Sequence, residues 1–169
     1  MSRIDELAED FLAQRCIAVA GVSAQHEDAA NLIYRTLREK GYTVYAVNPH
    51  LDAFHGDACY PDVAALPETP DGVVIVTRPE VTEEIVLQCA EAGVPRVWMH
   101  CMLGTRPRLF KDLAGSIGSV SPRAVELCRD RGIAVIPGSC PMQFLGDFGH
   151  TCIRGFLRAT GALQVSAPP

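Results

Sequence analysis

The segment 137–150, PGSCPMQFLGDFGH, carries the side chains of this sequence that are best suited to chemistry. Cys140 stands directly before a proline, and His150 follows ten residues later. A cysteine becomes a nucleophile when a base lies within hydrogen-bond reach, and the candidate bases are His150, close to Asp147, and His100. Cysteine and histidine are also zinc ligands. In a third interpretation Cys140 is part of the wall of a pocket, and the surrounding elements decide between the three.

The elements that must position Cys140 alternate along the chain. Apolar runs that predict buried strands cover 16–21, 43–49, 72–77, 96–101 and 133–138. Capped or amphipathic segments that predict helices lie between them, at 28–41, 80–93 and 121–132. Buried strands that alternate with helices indicate right-handed βαβ units. We therefore predict an α/β fold of the Rossmann-like, doubly wound type, with a parallel five-stranded sheet and helices on both faces.

The composition narrows the class of protein. A chain of 169 residues with 48% hydrophobic residues predicts one globular domain over 1–169. No apolar run reaches the length of a membrane span, and the net charge of −5 argues against a nucleic-acid surface. The start has no apolar core typical of a signal peptide, and the seven cysteines form no C-x-x-C pair, so we expect a cytoplasmic protein with reduced thiols.

Three segments lie outside the alternation of strands and helices. Residues 1–14 place apolar side chains on one helical face and predict an N-terminal docking helix. Residues 104–118 are rich in glycine and basic residues and predict a surface insertion. Residues 144–169 predict a helical C-terminal extension, through which dimerisation is left open.

Ligands of doubly wound sheets bind at the carboxyl ends of the strands, where the winding reverses. The Gly21 turn and Arg78 both suit a phosphate there, through backbone N–H groups and a guanidinium. A classical NAD site has an acid after the second strand, where this chain has Asn48 and Pro49, so NAD is disfavoured. The residues at the five predicted strand ends are Gly21-Val22-Ser23, Asn48-Pro49-His50, Thr77-Arg78-Pro79, His100-Cys101 and Gly138-Ser139-Cys140-Pro141.

Four of these turns, in this order, resemble a known family. The stretches IAVAGVSAQHEDAANLIYRTLREKGYTVYAVNP, CYPDVAALPETPDGVVIVTRPE, VWMH and GIAVIPGSCPM are similar to the small stand-alone CoA-binding proteins. Those proteins are similar in turn to the CoA-binding domain of the succinyl-CoA synthetase α subunit. The resemblance covers residues 12 to 143 and implies a Rossmann-like fold that binds coenzyme A.

The resemblance also implies roles for single residues. It places Gly21, Val22, Ser23 and Asn31 near the pyrophosphate, and Val47, Asn48 and Pro49 beside the adenosine. Thr77, Arg78 and Pro79 would line the groove, with Met99, His100 and Cys140 towards the pantetheine arm. Catalysis by the synthetases needs a phosphorylatable histidine in a further domain. We therefore expect a non-catalytic sensor, carrier or accessory protein for CoA or an acyl-CoA.

Two other functions remain open on the residues alone. Cys140 and His150 would serve a thiol-dependent acyl-CoA transferase or hydrolase, and the strand ends would also suit an NAD or nucleotide-binding redox sensor. A zinc site would need His100, Cys101, Cys140, His150 and Cys152 to converge, but their spacing matches no zinc signature, so we predict no metal. We favour Cys140 as pocket wall, near enough to the CoA thiol for a mixed disulfide under oxidation.

Overall fold

A single, mostly parallel sheet forms the centre of the protein in the computed structural model, which describes residues 3–102 and 118–145 together with Gly155 and Ala159. The strands run in the order β3-β4-β2-β1-β5-β6-β7. They are β1 (Cys16–Ala20), β2 (Thr43–Val47), β3 (Ala53–Phe54), β4 (Asp57–Tyr60), β5 (Gly72–Ile75), β6 (Arg96–Met99) and β7 (Ala134–Pro137). The helices are α1 (Arg3–Leu12), α2 (Ala29–Glu39), α3 (Pro79–Glu91) and α4 (Pro122–Asp130), followed by a 3-10 turn at Pro141–Gln143.

The predicted α/β class and parallel sheet are confirmed, but the strand number of five is wrong. The described chain has seven strands, because residues expected to form a loop make the hairpin β3–β4. His55 and Gly56 form its turn, both with positive φ (49° and 86°), which suits the twist of a tight hairpin. Strand β4 then pairs with β2 in parallel and extends the sheet. Asp57 fixes the hairpin to α2, as it pairs with Arg38 and accepts a hydrogen bond from the Tyr34 hydroxyl.

Helices cover both faces of the sheet, as predicted. Along β1, Ile17 and Val19 pack into one apolar layer with α1 and α2. The intervening Ala18 and Ala20 pack into the opposite layer with α3 and α4. All five residues of β1 are buried, which is why the strand shows no alternation of polar and apolar residues.

Helix α1 lies on the sheet through a narrow apolar face. Its residues Ile4, Ala8 and Phe11 are at most 1% exposed. The Phe11 ring meets the Trp98 ring of β6 edge to face at a centroid distance of 5.3 Å. Such an aromatic pair contributes beyond the area it buries. An ion pair between Asp10 and Arg96, 2.6 Å apart, holds the end of the helix against the start of β6.

Two of the predicted segments fall almost entirely outside the described residues. They are the insertion at 104–118 and the C-terminal extension at 144–169, including the helix through which dimerisation was left open. None of the helices in the described parts is long and apolar enough to cross a membrane.

Candidate functional site

The carboxyl ends of β2, β1 and β5 enclose a groove of about 680 Å³. The chain leaves β1 for β2 on one side and later returns to β5 on the other side of β1. The winding therefore reverses at this point, where ligands of doubly wound sheets bind. The structure brings six of the predicted site residues together along this groove: Gly21, Val47, Asn48, Pro49, Thr77 and Arg78.

Gly21 forms the part of the groove between β1 and β5. Its φ of +104° lies in a region that favours glycine, and its N–H donates to the carbonyl of Val47 over 3.0 Å. A Cβ atom at this position would stand 2.1 Å from the carbonyl oxygen of Val76. Both the backbone conformation and the close approach of β5 therefore require glycine here.

One face of α3 forms a wall of the groove that the sequence analysis missed. Val81, Glu84, Ile85 and Gln88 line it, and their spacing of three, one and three residues places them on a single helical face. Steps of three or four residues along the helix from Arg78 lead to these positions, so the sequence did contain a signal for them. The Gln88 side-chain carbonyl accepts a hydrogen bond from the N–H of Val63 over 3.2 Å, which fixes the orientation of that amide.

The loop after β1 is held by its own side chains. The Ser23 hydroxyl accepts hydrogen bonds from the N–H groups of Gln25 and His26, both over 3.2 Å. Asn31, only 2% exposed, accepts from the N–H of Ser23 over 2.9 Å and donates to the carbonyls of Ser23 and His26 over 2.8 and 3.0 Å. Asp28 caps α2 by accepting from the N–H groups of Ala30 and Asn31. Ser23 and Asn31, both predicted near the pyrophosphate, thus fix the shape of this loop.

Asn48 braces the same loop from the other side. Its side-chain amide donates to the carbonyl of Val22 over 2.6 Å, and its side-chain oxygen accepts from the N–H of His50 over 2.8 Å. The end of β2 and the end of β1 are therefore joined through one half-buried amide. This gives the Val-Asn-Pro turn a positioning role that its sequence alone did not reveal.

Arg78 is the residue at this site best placed to meet an anion. It is exposed at the N-cap of α3, and Pro79 opens the first turn of that helix. Within the described residues, the Arg78 guanidinium takes part in no salt bridge, and no hydrogen bond from it is found. An unpaired guanidinium beside the positive end of a helix favours a phosphate or carboxylate.

A smaller groove of about 310 Å³ adjoins the first and shares Val76, Thr77 and Arg78 with it. Pro79 and His100, both predicted, also line it. Ser119, which was not predicted, joins the two strand ends: its hydroxyl accepts from the N–H of Thr77 over 2.9 Å, and its N–H donates to the carbonyl of His100 over 2.8 Å. Nothing in the sequence marks Ser119, because it is paired with partners far away in the chain.

The remaining predicted residues are in less accessible places. The side chains of Val22 and Met99 are fully buried, one in each apolar layer, so they support the strand ends from within. Cys140 is 2% exposed and lies in the wall of a further cavity beside α2. Burial raises the pKa of the Cys140 thiol to about 11, although the N–H groups of Met142 and Gln143 act in the opposite direction. The thiol is therefore protonated at neutral pH.

The turn before Cys140 is shaped by Ser139, which has a positive φ of 67° although it is not glycine. Its carbonyl accepts hydrogen bonds from the N–H of Cys101 and from the Trp98 indole, over 3.0 and 3.3 Å. These bonds join the ends of β6 and β7 and bring His100 and Cys140 to the same edge of the sheet.

The metal and nucleophile interpretations depend partly on residues outside the described ranges. No group of three or more histidine, cysteine or acidic side chains that could hold a metal occurs within residues 3–102 and 118–145. His150 and Cys152, which a zinc site would also need, lie outside these ranges, and His150 is one of the two candidate bases for Cys140. The other described cysteines, Cys16, Cys59, Cys89, Cys101 and Cys128, are all buried and reduced.

Curated relatives match about half of the chain. ADP-forming acetate–CoA ligase I of Archaeoglobus fulgidus is 36% identical over 80 residues, which are 47% of this chain and 12% of the ligase. ADP-forming acetate–CoA ligase II of the same organism is 26% identical over 87 residues, 50% of this chain and 13% of the ligase. The match thus covers about an eighth of the length of these enzymes.

Solved structures of similar size share the fold over most of the chain. A hypothetical protein from Pyrococcus horikoshii OT3 superposes with a TM-score of 0.69 at 26% identity, covering 83% of this chain and 87% of that one. The family model described as "CoA binding domain" matches residues 15–145, which include all strands of the described residues and the whole groove at the ends of β2, β1 and β5. The chain therefore belongs to the CoA-binding domain family.

Proposed function

We propose that this protein binds coenzyme A or an acyl-CoA in the groove at the carboxyl ends of β2, β1 and β5, without catalysing a reaction. The observation that carries the proposal is the groove of about 680 Å³ at the reversal of winding, inside the family match, with the unpaired Arg78 at its edge. The residues present fit such a ligand. Apolar groups from Val47, Pro49 and Ile85 suit a base, while Arg78 and the N-terminus of α3 suit a phosphate.

The end of β2 favours CoA over NAD. No carboxylate follows this strand directly, and the Asn48 side chain in that turn is already bonded to Val22 and His50. The nearest acid of the groove on this side is Asp62, whose side chain accepts from the N–H of Ala65 over 2.8 Å. The hydrogen bond to a ribose 2′-hydroxyl that marks NAD sites therefore has no obvious acceptor in this turn.

A binding role without catalysis is supported by the state of Cys140. A thiol nucleophile works as the thiolate and needs a lowered pKa and access to solvent. Burial does the reverse here, since it raises the pKa of Cys140 to about 11 and leaves the side chain 2% exposed. We infer a sensor, carrier or accessory role on this basis.

The test is isothermal titration calorimetry with CoA, dephospho-CoA and NAD. We expect CoA to bind more tightly than NAD, and Arg78→Gln to weaken CoA binding about tenfold, the effect of losing one exposed hydrogen bond to a charged group. Arg129→Gln is the matched control. Arg129 is an exposed arginine in the last turn of α4, at the opposite edge of the sheet, and its loss should leave CoA binding unchanged.

Two results would contradict the proposal. Tighter binding of NAD than of CoA would make the protein a redox sensor. Release of free CoA from acetyl-CoA, followed by chromatography and abolished in Cys140→Ala, would make it a thiol-dependent hydrolase or transferase.

A further inference from the structure

A separate apolar cavity of about 370 Å³ lies between the first turn of α2 and the segments that follow β6 and β7. Ala29 and Leu32 contribute its α2 side. Met102 follows β6, and Cys140 and Met142 follow β7. Its lining is thus mostly hydrocarbon and sulfur, in contrast to the grooves around Arg78.

The exposure of the side chains around this cavity is unusual. Three large hydrophobic side chains are exposed in the described part of the chain: Leu32 (36%), Met102 (43%) and Leu87 (45%). Two of these, Leu32 and Met102, line this one cavity, whereas Leu87 lies on α3. Single exposed apolar residues are ordinary, whereas exposed apolar residues that line one concave surface suit an apolar ligand.

The part of the cavity wall formed by Met102, Cys140 and Met142 is uncharged and adaptable. Because burial raises the pKa of Cys140 to about 11, its thiol is uncharged at neutral pH and behaves as a small hydrophobic group. Met102 and Met142 have flexible side chains that fit apolar groups of different shape. These three side chains therefore suit a hydrocarbon chain and offer no charge to a polar one.

The position of the cavity relates it to the proposed CoA groove. The thiol ends the pantetheine arm of CoA, and the family resemblance directs that arm towards His100 and Cys140. Cys140 is also part of the cavity wall, so a group carried on the thiol would meet the cavity there. We propose that this cavity holds the acyl group of an acyl-CoA, and that the preferred acyl groups are short hydrocarbon chains. This inference rests on the proposed function.

Three charged residues of the cavity lining bear on which acyl group is preferred. Glu27, Asp28 and Arg35 also line the cavity. Arg35 is paired with Glu27 at 2.7 Å, so this set carries one net negative charge, on the Asp28 carboxylate that caps α2. An acyl chain that ends in a carboxylate, such as succinyl, would meet this negative charge as well as the apolar wall. The cavity therefore favours acyl groups without a distal charge.

The experiment compares CoA, acetyl-CoA, butyryl-CoA, hexanoyl-CoA and succinyl-CoA by isothermal titration calorimetry on the full chain. Each methylene that enters an apolar site strengthens binding about fourfold, so butyryl-CoA should bind about fifteenfold more tightly than acetyl-CoA. Succinyl-CoA should bind no more tightly than acetyl-CoA. The same samples are analysed by chromatography to verify that the thioester stays intact during each titration.

Two variants locate the effect. Leu32→Asn should remove the dependence on acyl length while free CoA binds as before, and Met102→Gln should do the same from the opposite wall. Both side chains are partly exposed, so the variants should fold, which circular dichroism checks. Leu87→Asn makes the same kind of change on α3, away from the cavity, and should keep the full length dependence.

The possible failures are distinct. If free CoA binds but affinity is the same for every acyl length, the acyl inference is wrong and the proposed function stands. If Leu87→Asn abolishes the length dependence as fully as Leu32→Asn, the cavity is not the acyl site. If neither CoA nor any acyl-CoA binds, the proposed function is wrong and this inference falls with it.

Discussion

Replacing Gly21 by alanine should distort the part of the groove between β1 and β5. The same replacement at Gly41 is the control. Both glycines have positive φ, +104° at Gly21 and +89° at Gly41. A Cβ atom at Gly21 would stand 2.1 Å from the Val76 carbonyl oxygen, whereas a Cβ atom at Gly41 would have no heavy atom within 4 Å. The two variants thus share the backbone strain and differ in the steric clash.

The size of each effect follows from these two terms. Alanine at positive φ costs about 1–2 kcal/mol of stability, and this alone should apply to Gly41→Ala. In Gly21→Ala the clash forces a shift of β1 against β5, which adds about 2 kcal/mol, the usual cost of inserting one carbon into a packed site. For a chain of this length the added cost lowers Tm by about 4–8 °C relative to Gly41→Ala.

Binding should separate the variants further. Gly21 lines the groove, while Gly41 follows α2 and precedes β2 at the opposite edge of the sheet. We expect Gly21→Ala to weaken CoA binding at least tenfold and Gly41→Ala to leave it unchanged, measured by calorimetry beside the thermal unfolding of each variant. Equal Tm values for the two variants, together with equal CoA affinity, would refute the assignment of Gly21 to the CoA-binding groove.

Two further predictions concern the loop after β1 and the thiol. Asn31→Asp keeps one acceptor but loses both donors to the carbonyls of Ser23 and His26 in a site 2% exposed. It should reduce the free energy of unfolding in urea by about 2–3 kcal/mol. A loss below 0.5 kcal/mol, roughly the scatter of surface substitutions, would contradict the role of Asn31 in holding the loop after β1. Because burial raises the pKa of Cys140 to about 11, its alkylation by iodoacetamide, followed by peptide mass spectrometry, should be slow at pH 8 in the folded protein and fast in urea. Folded protein that labels Cys140 rapidly at pH 8 would contradict its burial. The raised pKa also affects stability. Burial of the neutral thiol contributes stability that is fully present below the pKa of the unfolded state and is lost as the pH rises towards 11.

The sequence was sufficient for the parts of the fold that depend on local pattern. Short apolar runs predicted β1, β2, β5, β6 and β7, and capped or amphipathic segments predicted α2, α3 and α4. The hairpin β3–β4 was missed because its strands have two and four residues, too short for a periodic pattern. Its turn, His55-Gly56, also lacks the Asn-Gly or Asp-Gly pair that usually signals such a hairpin.

The site was predictable where it follows from strand order and was not where it depends on contacts between distant segments. Gly21, Asn48 and Arg78 come directly after strands, so the rule of carboxyl ends places them together. Asn31 and Asn48 hold the backbone in place, and their residue type does not predict this. A side-chain amide can form hydrogen bonds to a ligand or to a loop equally well. Ser119 became visible only through its bond to Thr77, 42 positions away.

Local geometry, not net charge, decides whether this protein can hold a polyanion. The chain carries a net charge of −5, which disfavours an anion at long range, but ions screen such fields beyond about 10 Å. Within that distance the groove has two unlike ends. Arg78 lies at the positive end of α3, while Glu84 and Asp62 lie further along the groove. A ligand with phosphate at one end and an amino-bearing base at the other matches this asymmetry, whereas a uniform anion would be repelled by half of the site.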